Sequence, residues 1–171
     1  MPGTPAIARH SSWRRRFAPA LRVAYRVAWV GVRAYALLLH PRVRGVKCVL
    51  RGTDGQIVWV RHTYGDRAAW ELPGGAVRRS ESFPEAARRE AREELGVDVV
   101  RWDAVGTIEG RWTGARQQLG CCVADWPAGT ALDPDPVEIA VARWAPAAEP
   151  PGRVGLVTQG ILPLVERAMR T

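Results

Sequence analysis

The sequence predicts an α+β fold in which a mixed β-sheet is combined with a central helix and a C-terminal helix. The prediction rests on strand-like segments before and after residues 82–95, on the helix signals of that segment, and on a helical pattern over 156–169. The chain has 171 residues, enough for one domain with a real core and an extension. Apolar residues make up 47% and charged residues 25%, a composition that excludes a disordered chain.

The predicted strands are short apolar segments separated by turns. Residues 45–51 and 56–62 flank a Thr-Asp-Gly turn and predict a β-hairpin. Residues 70–75, WELPGG, predict a short strand that breaks into a Pro-Gly-Gly turn. In the loop predicted over 129–136, Asp133 and Asp135 alternate with prolines and are expected to be solvated. The remaining predicted strands are 97–108, 117–126 and 137–144.

The central helix has signals at both of its ends. Ser82 and Glu85 form a predicted capping box, and Pro84 lies in the first turn, where a missing N–H costs nothing. Gly96 follows the last helical residue and predicts a left-handed C-cap. These signals predict a helix over 82–95.

The basic charge of the chain is concentrated in its N-terminal part. Residues 1–53 contain eleven basic side chains and no acid, whereas the remaining 118 residues contain 14 basic and 17 acidic groups. This distribution argues against a protein that binds nucleic acid over its whole surface, and no nucleic-acid partner is expected. We predict a flexible basic N-terminus over 1–17, an arginine-striped amphipathic helix over 18–41 and a folded domain over 42–171.

The predicted N-terminal helix has a thin basic stripe on a broad apolar surface. Arg15, Arg22, Arg26, Arg33 and His40 lie near one line along it, and the remaining surface is apolar. Three covers for the apolar surface remain open: the helix's own domain, a membrane interface, or a second copy of the chain in a homodimer. The arginines interrupt any apolar stretch long enough to span a membrane, and a signal peptide fits poorly without a clear cleavage site.

The three cysteines, Cys48, Cys121 and Cys122, have no CxxC spacing, and each lies in an apolar segment. Buried free thiols in a reducing compartment are therefore expected. We predict a cytoplasmic protein, with peripheral attachment to a membrane as the alternative that the basic helix raises.

Three glutamates on the central helix predict a metal site. Glu90, Glu93 and Glu94 occupy neighbouring helical positions, where their charges repel one another unless a cation is present. Glu90 and Glu94 fall on the side of the helix that carries its apolar residues, so they are predicted to face the domain. Inward carboxylates either shift their pKa values or bind metal, and oxygen ligands favour Mg²⁺ or Mn²⁺.

The glycine-rich turn before this helix brings main-chain groups close to a ligand, and together the two segments resemble a known motif. The segment 75–97 resembles the Nudix box, G-x5-E-x7-R-E-U-x-E-E-x-G-U, in which U is an apolar residue. Gly75 is followed after five residues by Glu81, and Glu81 is followed after seven residues by REAREELGV over 89–97. All seven fixed positions agree, although Ala91 is smaller than the aliphatic residue usual at its position. WELPGG also resembles the family's approach to the box, and the resemblance covers about residues 44–145.

This resemblance implies a Nudix-type α/β/α sandwich with a mixed sheet, formed by a Nudix hydrolase domain over 42–171. Glu81 and Arg89 would form a supporting pair that positions the helix. By the same resemblance, the metal ligands would be Glu90, Glu93, Glu94 and the Gly75 carbonyl.

The implied reaction is hydrolysis of a pyrophosphate bond in a nucleoside di- or triphosphate derivative. Mg²⁺ or Mn²⁺ would neutralise the diphosphate and activate a water molecule. Glu90 and Glu94 are the candidate catalytic carboxylates of the box, and the general base would be Glu90 or a carboxylate from a later loop, for which Glu138 is the candidate. Two alternatives remain open: a nucleotide-binding sensor module without turnover, and a membrane-attached hydrolase of a lipid- or sugar-linked diphosphate.

Three residues outside the box are candidates for substrate binding. Arg61 and His62 end a predicted strand near the expected cleft, where they would contact phosphate, and Trp70 would stack on a base. A surface position for Arg61 and His62 and a core position for Trp70 are the alternatives.

Overall fold

The computed structural model describes residues 12–112 and 115–170, and these form a five-stranded sheet with three helices. The predicted α+β class is confirmed. In chain order the elements are α1 (Ser12–Leu39), β1 (Arg42–Arg51), β2 (Gln56–His62), α2 (Phe83–Leu95), β3 (Asp103–Trp112), β4 (Ala115–Asp125), β5 (Ile139–Pro146) and α3 (Leu156–Arg170).

The sheet is mixed, as predicted, and its strand order is β3-β4-β1-β2-β5. The central strand β1 runs parallel to β4, with Arg42 opposite Arg116 at one end and Arg51 opposite Asp125 at the other. The pairs β1–β2, β2–β5 and β3–β4 are antiparallel, and the first of them is the predicted hairpin. Because both neighbours of β1 are strands and both faces are covered, residues 46–50 are all buried.

The alternation of side chains along the central strands divides the core into two layers. One layer joins Val46, Cys48 and Leu50 to the inward face of α2, and the other joins Val49 and Trp59 to α3. The α2 face consists largely of the fully buried alanines 86, 87 and 91, whose small side chains let the helix approach β1 closely. The molecule is therefore an α/β/α sandwich, and the residues of α2 lie close to the centre of the sheet. All three cysteines are buried free thiols, as expected.

Two predicted strands begin later than their apolar sequences indicate. Residues 97–102 form an irregular segment because Val97, Val99 and Trp102 pack under α2, and the Trp102 indole Nε1 donates a 2.8 Å hydrogen bond to the Val99 carbonyl. β5 begins at Ile139 rather than at residue 137, because residues 136–138 form a turn. The WELPGG segment makes isolated bridges to Val60 and Val154 in place of the predicted short strand.

The N-terminal helix differs from the prediction in where it begins and in which face it packs. It begins at Ser12, so residues 12–17 are helical and not flexible, while residues 1–11 of the predicted flexible segment lie outside the described residues. The basic stripe faces the domain: the Arg22 Nε donates to the Pro136 carbonyl at 2.9 Å, and the Arg26 Nε donates to the Thr63 carbonyl at 3.0 Å. The apolar face of α1 is exposed. Among the described residues, no helix is long and apolar enough to cross a membrane.

Candidate active site

The helix α2 is held rigidly at both ends. The Ser82 side chain accepts a hydrogen bond from the Glu85 N–H, and the Glu85 carboxylate accepts one from the Ser82 N–H at 2.8 Å, which completes the predicted capping box. Gly96 has a left-handed φ of 68°, and its N–H donates to the Ala91 carbonyl. The caps fix where the helix begins and ends, and its buried face of Ala87, Ala91 and Leu95 fixes its rotation against the sheet.

Glu94 is the most deeply buried acidic side chain of α2, at 2% exposure. One carboxylate oxygen, Oε2, accepts a 2.9 Å hydrogen bond from the Gly74 N–H, and the other, Oε1, lies 3.9 Å from the His62 Nδ1. Burial first, and then the neighbouring charge of Glu90, raise the pKa of Glu94 well above its ordinary value. A carboxylate in this position is costly to ionise unless a cation lies close to it.

Glu90 lies one turn before Glu94 and packs against the glycine turn. A Cβ atom added to Gly75 would lie 2.5 Å from the Glu90 Oε1, so the carboxylate occupies the space that a side chain at residue 75 would take. Burial raises the pKa of Glu90, and the Arg89 guanidinium opposes that shift. The Gly75 carbonyl accepts the Val46 N–H at 2.9 Å and retains a second lone pair. The structure thus places Glu90 and Glu94 against the glycine turn that carries the predicted carbonyl ligand.

Arg89 connects the box helix to the loop before it. Its Nε and Nη2 donate to the two oxygens of Glu81 at 2.8 and 3.0 Å, and Nη2 also donates to the Ala76 carbonyl. These hydrogen bonds are the main reason that the pKa of Glu81 falls to about 2. Arg89 Nη1 donates to Glu90 at 2.7 Å and to Glu93 at 3.0 Å. The contact that we predicted for the supporting pair is present, and it orients Glu90 as well.

Glu93 lies at the solvent-exposed edge of the site, and the Arg89 Nη1 that donates to Glu90 also donates to it. Its oxygens lie 3.0 Å from Arg89 and 3.6 Å from Arg78, and its side chain is 45% exposed. Within residues 12–112 and 115–170, no three His, Cys, Asp or Glu side chains are placed to coordinate one ion as they stand. The donor chemistry still fits a divalent cation, because Glu90 and Glu94 supply hard oxygen donors and an excess of buried negative charge.

Glu138 comes to the same cluster from the turn before β5. Its negative charge raises the pKa of both Glu90 and Glu94, so the three carboxylates lie within electrostatic range of one another. Burial raises the pKa of Glu138 itself, and a 2.9 Å hydrogen bond donated by the Tyr25 hydroxyl opposes that shift. The structure therefore brings together the box and the later-loop carboxylate that the sequence suggested as a base.

The loop that carries Glu138 is anchored by a buried aspartate. Asp135 is 1% exposed, so the expectation that it is solvated is wrong. Its Oδ1 accepts the Val137 N–H at 2.7 Å, which forms the turn before β5, and its Oδ2 lies 2.6 Å from the Arg14 Nη2 on α1. Its own N–H donates to the Glu94 carbonyl at 2.8 Å. Asp135 thus joins α1, α2 and the Glu138 turn.

A row of rings connects α1 to the carboxylates. The Tyr64 ring lies 5.4 Å from the Trp29 ring and 5.0 Å from the His62 ring, measured between centroids. Burial lowers the pKa of His62 to about 4, so its imidazole is neutral at pH 7. The His62 Nδ1 is buried and makes no hydrogen bond within the described structure, which leaves a polar atom directed at the Glu94 side of the site.

The other two predicted substrate residues lie across the sheet. The Arg61 guanidinium lies 5.1 Å from the Trp70 ring centroid, and Trp70 belongs to the core layer that faces α3. Consecutive residues of a strand point to opposite faces, so Arg61 and His62 diverge at this point of β2. The structure brings His62 to Glu94 and does not bring Arg61 or Trp70 there; a contact of either residue with substrate stays a prediction.

Comparison with known proteins identifies the family. By its fold and site, the chain is an α/β/α sandwich protein whose α2 helix carries inward carboxylates beside a glycine turn. The chain belongs to the NUDIX family, whose domain model matches residues 41–165.

Two curated relatives match part of the chain. It is 35% identical to the low-salt glycan biosynthesis protein Agl8 of Haloferax volcanii, over 43% of this chain and 47% of the relative. It is 32% identical to an RNA pyrophosphohydrolase of Marinomonas sp., over 38% of this chain and 39% of the relative. The chain thus spans less than half the length of these relatives.

Solved structures share the fold. A MutT NUDIX hydrolase from Burkholderia pseudomallei superimposes with a TM-score of 0.64 at 22% identity, over 72% of this chain and 98% of that protein. The NUDIX domain of NrtR from Shewanella oneidensis, solved with ADP ribose, superimposes with a TM-score of 0.63 at 17% identity, over 75% and 88%. At these identities the likeness concerns the fold alone.

Sequence reasoning missed the contribution of α1 to the site. Arg14, Tyr25 and Trp29 contact the Asp135, Glu138 and Tyr64 regions, although Tyr25 and Glu138 are 113 residues apart in the sequence. The periodicity of α1 marks a basic stripe but gives no indication of what the stripe contacts. The only local signal was Asp135 followed by a proline and Val137, a sequence compatible with a turn closed by the Asp side chain.

Proposed function

We propose that this chain is a hydrolase that cleaves a pyrophosphate bond in a nucleoside di- or triphosphate derivative and depends on Mg²⁺ or Mn²⁺. One observation carries the proposal: Glu90 and Glu94 are both buried, face the Gly74–Gly75 turn, and have raised pKa values. Groups that are costly to ionise in isolation become favourable as ligands of a cation.

The residues that would hold the metal are Glu90, Glu93, Glu94 and the Gly75 carbonyl. Glu93 would reach the cluster by a rotation of its exposed side chain. The rotation breaks its 3.6 Å ion pair with Arg78, which contributes little at the surface, and its 3.0 Å hydrogen bond from Arg89. When bound, Mg²⁺ or Mn²⁺ neutralises the diphosphate charge and lowers the pKa of a water molecule. Arg89 keeps its contacts with Glu81 and Ala76 and holds Glu90 in place.

The carboxylate that removes the proton from water is assigned to Glu138, with Glu90 as the alternative. Glu138 is not a member of the box, and its charge is felt at Glu90 and Glu94, so it lies beside the cluster. Tyr25 donates to Glu138, and burial raises the pKa of Tyr25 to about 12, so its hydroxyl remains a donor near neutral pH. A carboxylate held this way is oriented for proton transfer.

The reaction balances with one water and one phosphoric anhydride. The water oxygen forms a bond to phosphorus, the bridging P–O bond breaks, and its electron pair leaves with the phosphate-containing group. The water proton passes to the Glu138 carboxylate. His62 and Tyr64 border the site from the β2 side, where the neutral His62 Nδ1 is available to accept a hydrogen bond from substrate.

The names of relatives agree with a nucleotide-derived substrate. One matched relative is an RNA pyrophosphohydrolase, and one structural neighbour was solved with ADP ribose. The two names describe the relative and the neighbour, and for this chain they suggest which substrates to test first. Those substrates are a terminal phosphoanhydride and a dinucleotide-like diphosphate.

The test is a hydrolysis screen with and without Mg²⁺. Phosphate and pyrophosphate release is followed from nucleoside triphosphates, 5′-triphosphorylated RNA, ADP-ribose, dinucleoside polyphosphates and nucleotide sugars. Glu94→Gln keeps an oxygen acceptor for the Gly74 N–H but removes the charge, and Glu166→Gln on the exposed face of α3 is the matched control. We expect turnover that EDTA and Glu94→Gln abolish and Glu166→Gln preserves. Tight nucleotide binding without any turnover would instead indicate the sensor module.

A further inference from the structure

The outward face of α1 is apolar from Val23 to Leu38. Val27 is 68% exposed, Val30 is 67% exposed and Leu38 is 78% exposed. At 100° per residue these side chains fall on one side of the helix, with Val23, Ala34 and Gly31 between them. The sixteen residues from Val23 to Leu38, about 24 Å long at 1.5 Å per residue, therefore present a continuous apolar strip to the surroundings.

The folded domain does not cover this strip. The side of α1 toward the domain contains the buried Ala18 and Ala36, the hydrogen-bonded Arg22 and Arg26, and Trp29. The strip lies on the opposite side, so the contacts that hold α1 in place also direct its apolar side chains outward. Contiguous exposed apolar surface of this extent marks an interaction site.

Basic groups lie at both ends of the strip. Arg16 is exposed on the strip side near the N-terminal end of α1. At the C-terminal end, a cavity of about 550 Å³ is lined, among the described residues, by three arginines and one histidine: Arg42, Arg111, Arg116 and His40. Residues 1–53 contain no acid at all, so no negative charge from this part of the chain lies among them. The surface is thus complementary to one that is both apolar and anionic.

We propose that α1 docks the protein onto the surface of an anionic lipid bilayer, with the strip in the interface and the basic cavity on lipid headgroups. The combination of an apolar face, flanking arginines and exposed aromatic residues, here Trp13 and Tyr35, is that of an interfacial helix. A second copy is the weaker occupant, because pairing two strips in either direction places arginine-rich, acid-free ends against each other.

The docking leaves the carboxylate cluster outside the bilayer. Arg22, Arg26 and Tyr25 point to the domain and contact the segments around Thr63 and Glu138, so the domain lies on the side of α1 away from the lipid. The proposal does not depend on the proposed hydrolysis, because it concerns a surface that no box residue contributes to.

The test is sedimentation of the full chain with vesicles, without substrate or metal. Vesicles of phosphatidylcholine alone are compared with vesicles containing phosphatidylglycerol. Val27→Glu with Val30→Glu removes the strip, and Val100→Glu is the control at an exposed valine elsewhere. Arg111→Gln with Arg116→Gln removes charge from the cavity, and Arg92→Gln with Arg170→Gln is a control of equal charge change on exposed positions. Thermal unfolding verifies that each variant is folded.

We expect the wild type to sediment with the anionic vesicles and not with phosphatidylcholine alone. The Val27/Val30 and the Arg111/Arg116 double variants should each bind at least about tenfold more weakly, because apolar burial and headgroup attraction both contribute. The two controls should bind as the wild type does. Failure of the wild type to sediment overturns the proposal. So does a lipid-free dimer in analytical ultracentrifugation that the Val27/Val30 variant dissociates, since the strip would then belong to a second copy.

Discussion

The Tyr25 hydroxyl donates a 2.9 Å hydrogen bond to the Oε1 of Glu138, and this bond joins an N-terminal helix to the candidate base of the site. Tyr25 lies outside residues 41–165, the segment that matches the NUDIX domain. The contact means that α1 is part of the site's construction as well as an appendage to the fold.

The first prediction concerns this hydrogen bond. Tyr25→Phe removes a bond that lowers the pKa of Glu138, so that pKa should rise. If Glu138 acts as the base, the acidic limb of the kcat/KM profile moves to higher pH. We also expect kcat/KM near neutrality to fall about tenfold, which corresponds to the free energy of one hydrogen bond to a charged group. Tyr35→Phe, at an exposed tyrosine on the same helix, is the control. An unchanged pH profile would argue for Glu90 as the base.

The second prediction tests the close approach of the glycine turn to Glu90. Gly75→Ala places a Cβ atom 2.5 Å from the Glu90 Oε1 and must displace the carboxylate. We expect kcat/KM to fall by about a hundredfold, because a displacement near 1 Å at a reacting centre has an effect of that size. The Mg²⁺ concentration that gives half-maximal activity should rise. Gly31→Ala has no atom within 4 Å of the new Cβ and should be neutral. Wild-type kinetics for Gly75→Ala would remove Glu90 from the metal site.

The third prediction separates stability from activity at Glu94. Its folded-state pKa is raised, so its contribution to stability is full below the unfolded pKa and is lost as pH rises through the folded value. In EDTA the wild type should therefore lose stability between acidic and neutral pH, and Glu94→Gln should lose less and melt higher at pH 7. Mg²⁺ should raise the Tm of the wild type but not of Glu94→Gln. Equal melting curves for both proteins under all these conditions would contradict the prediction.

The fourth prediction concerns a buried ion pair on the other side of the sheet. Lys47 Nζ lies 3.1 Å from the Glu71 Oε2, and the Thr158 hydroxyl donates to the same oxygen. Lys47→Met should destabilise the fold by about 3 kcal/mol, because it leaves the largely buried Glu71 carboxylate without its cation. Urea denaturation of Lys47→Met, Glu71→Gln and the double variant measures the coupling between them.

The pH dependence of this pair has the opposite sign to that of Glu94. Burial opposes ionisation of Glu71, but the charge of Lys47 and the hydrogen bonds lower its pKa on balance. Its contribution to stability is therefore present above the unfolded pKa and is lost as pH falls through the folded one. If the double variant were as unstable as the sum of the single variants, the two side chains would not be coupled.

Several features of the site follow from interactions a few residues apart, and these the sequence predicts correctly. The capping box of Ser82 and Glu85 and the C-cap at Gly96 depend on residues that are neighbours in the chain. The inward direction of Glu90 and Glu94 depends on helical geometry. Segments such as 97–102 depart from prediction because an apolar run packs equally well as a strand or as irregular chain beneath a helix.

The sequence by itself determined the fold class, the family motif and which helix face carries the carboxylates, since each is written in local spacing. Only the tertiary structure decided that Arg78 lies 3.6 Å from Glu93, that Asp135 is buried, and that Arg22 faces the domain while Val27 faces outward. The physical reason is that either face of α1, the arginine stripe or the apolar strip, is able to pack against a domain. The arginine stripe packs here because carbonyl and carboxylate acceptors far along the chain accept its hydrogen bonds. Those acceptors, at Thr63, Pro136 and Glu138, are distant from α1 in the sequence and are brought to it by the fold.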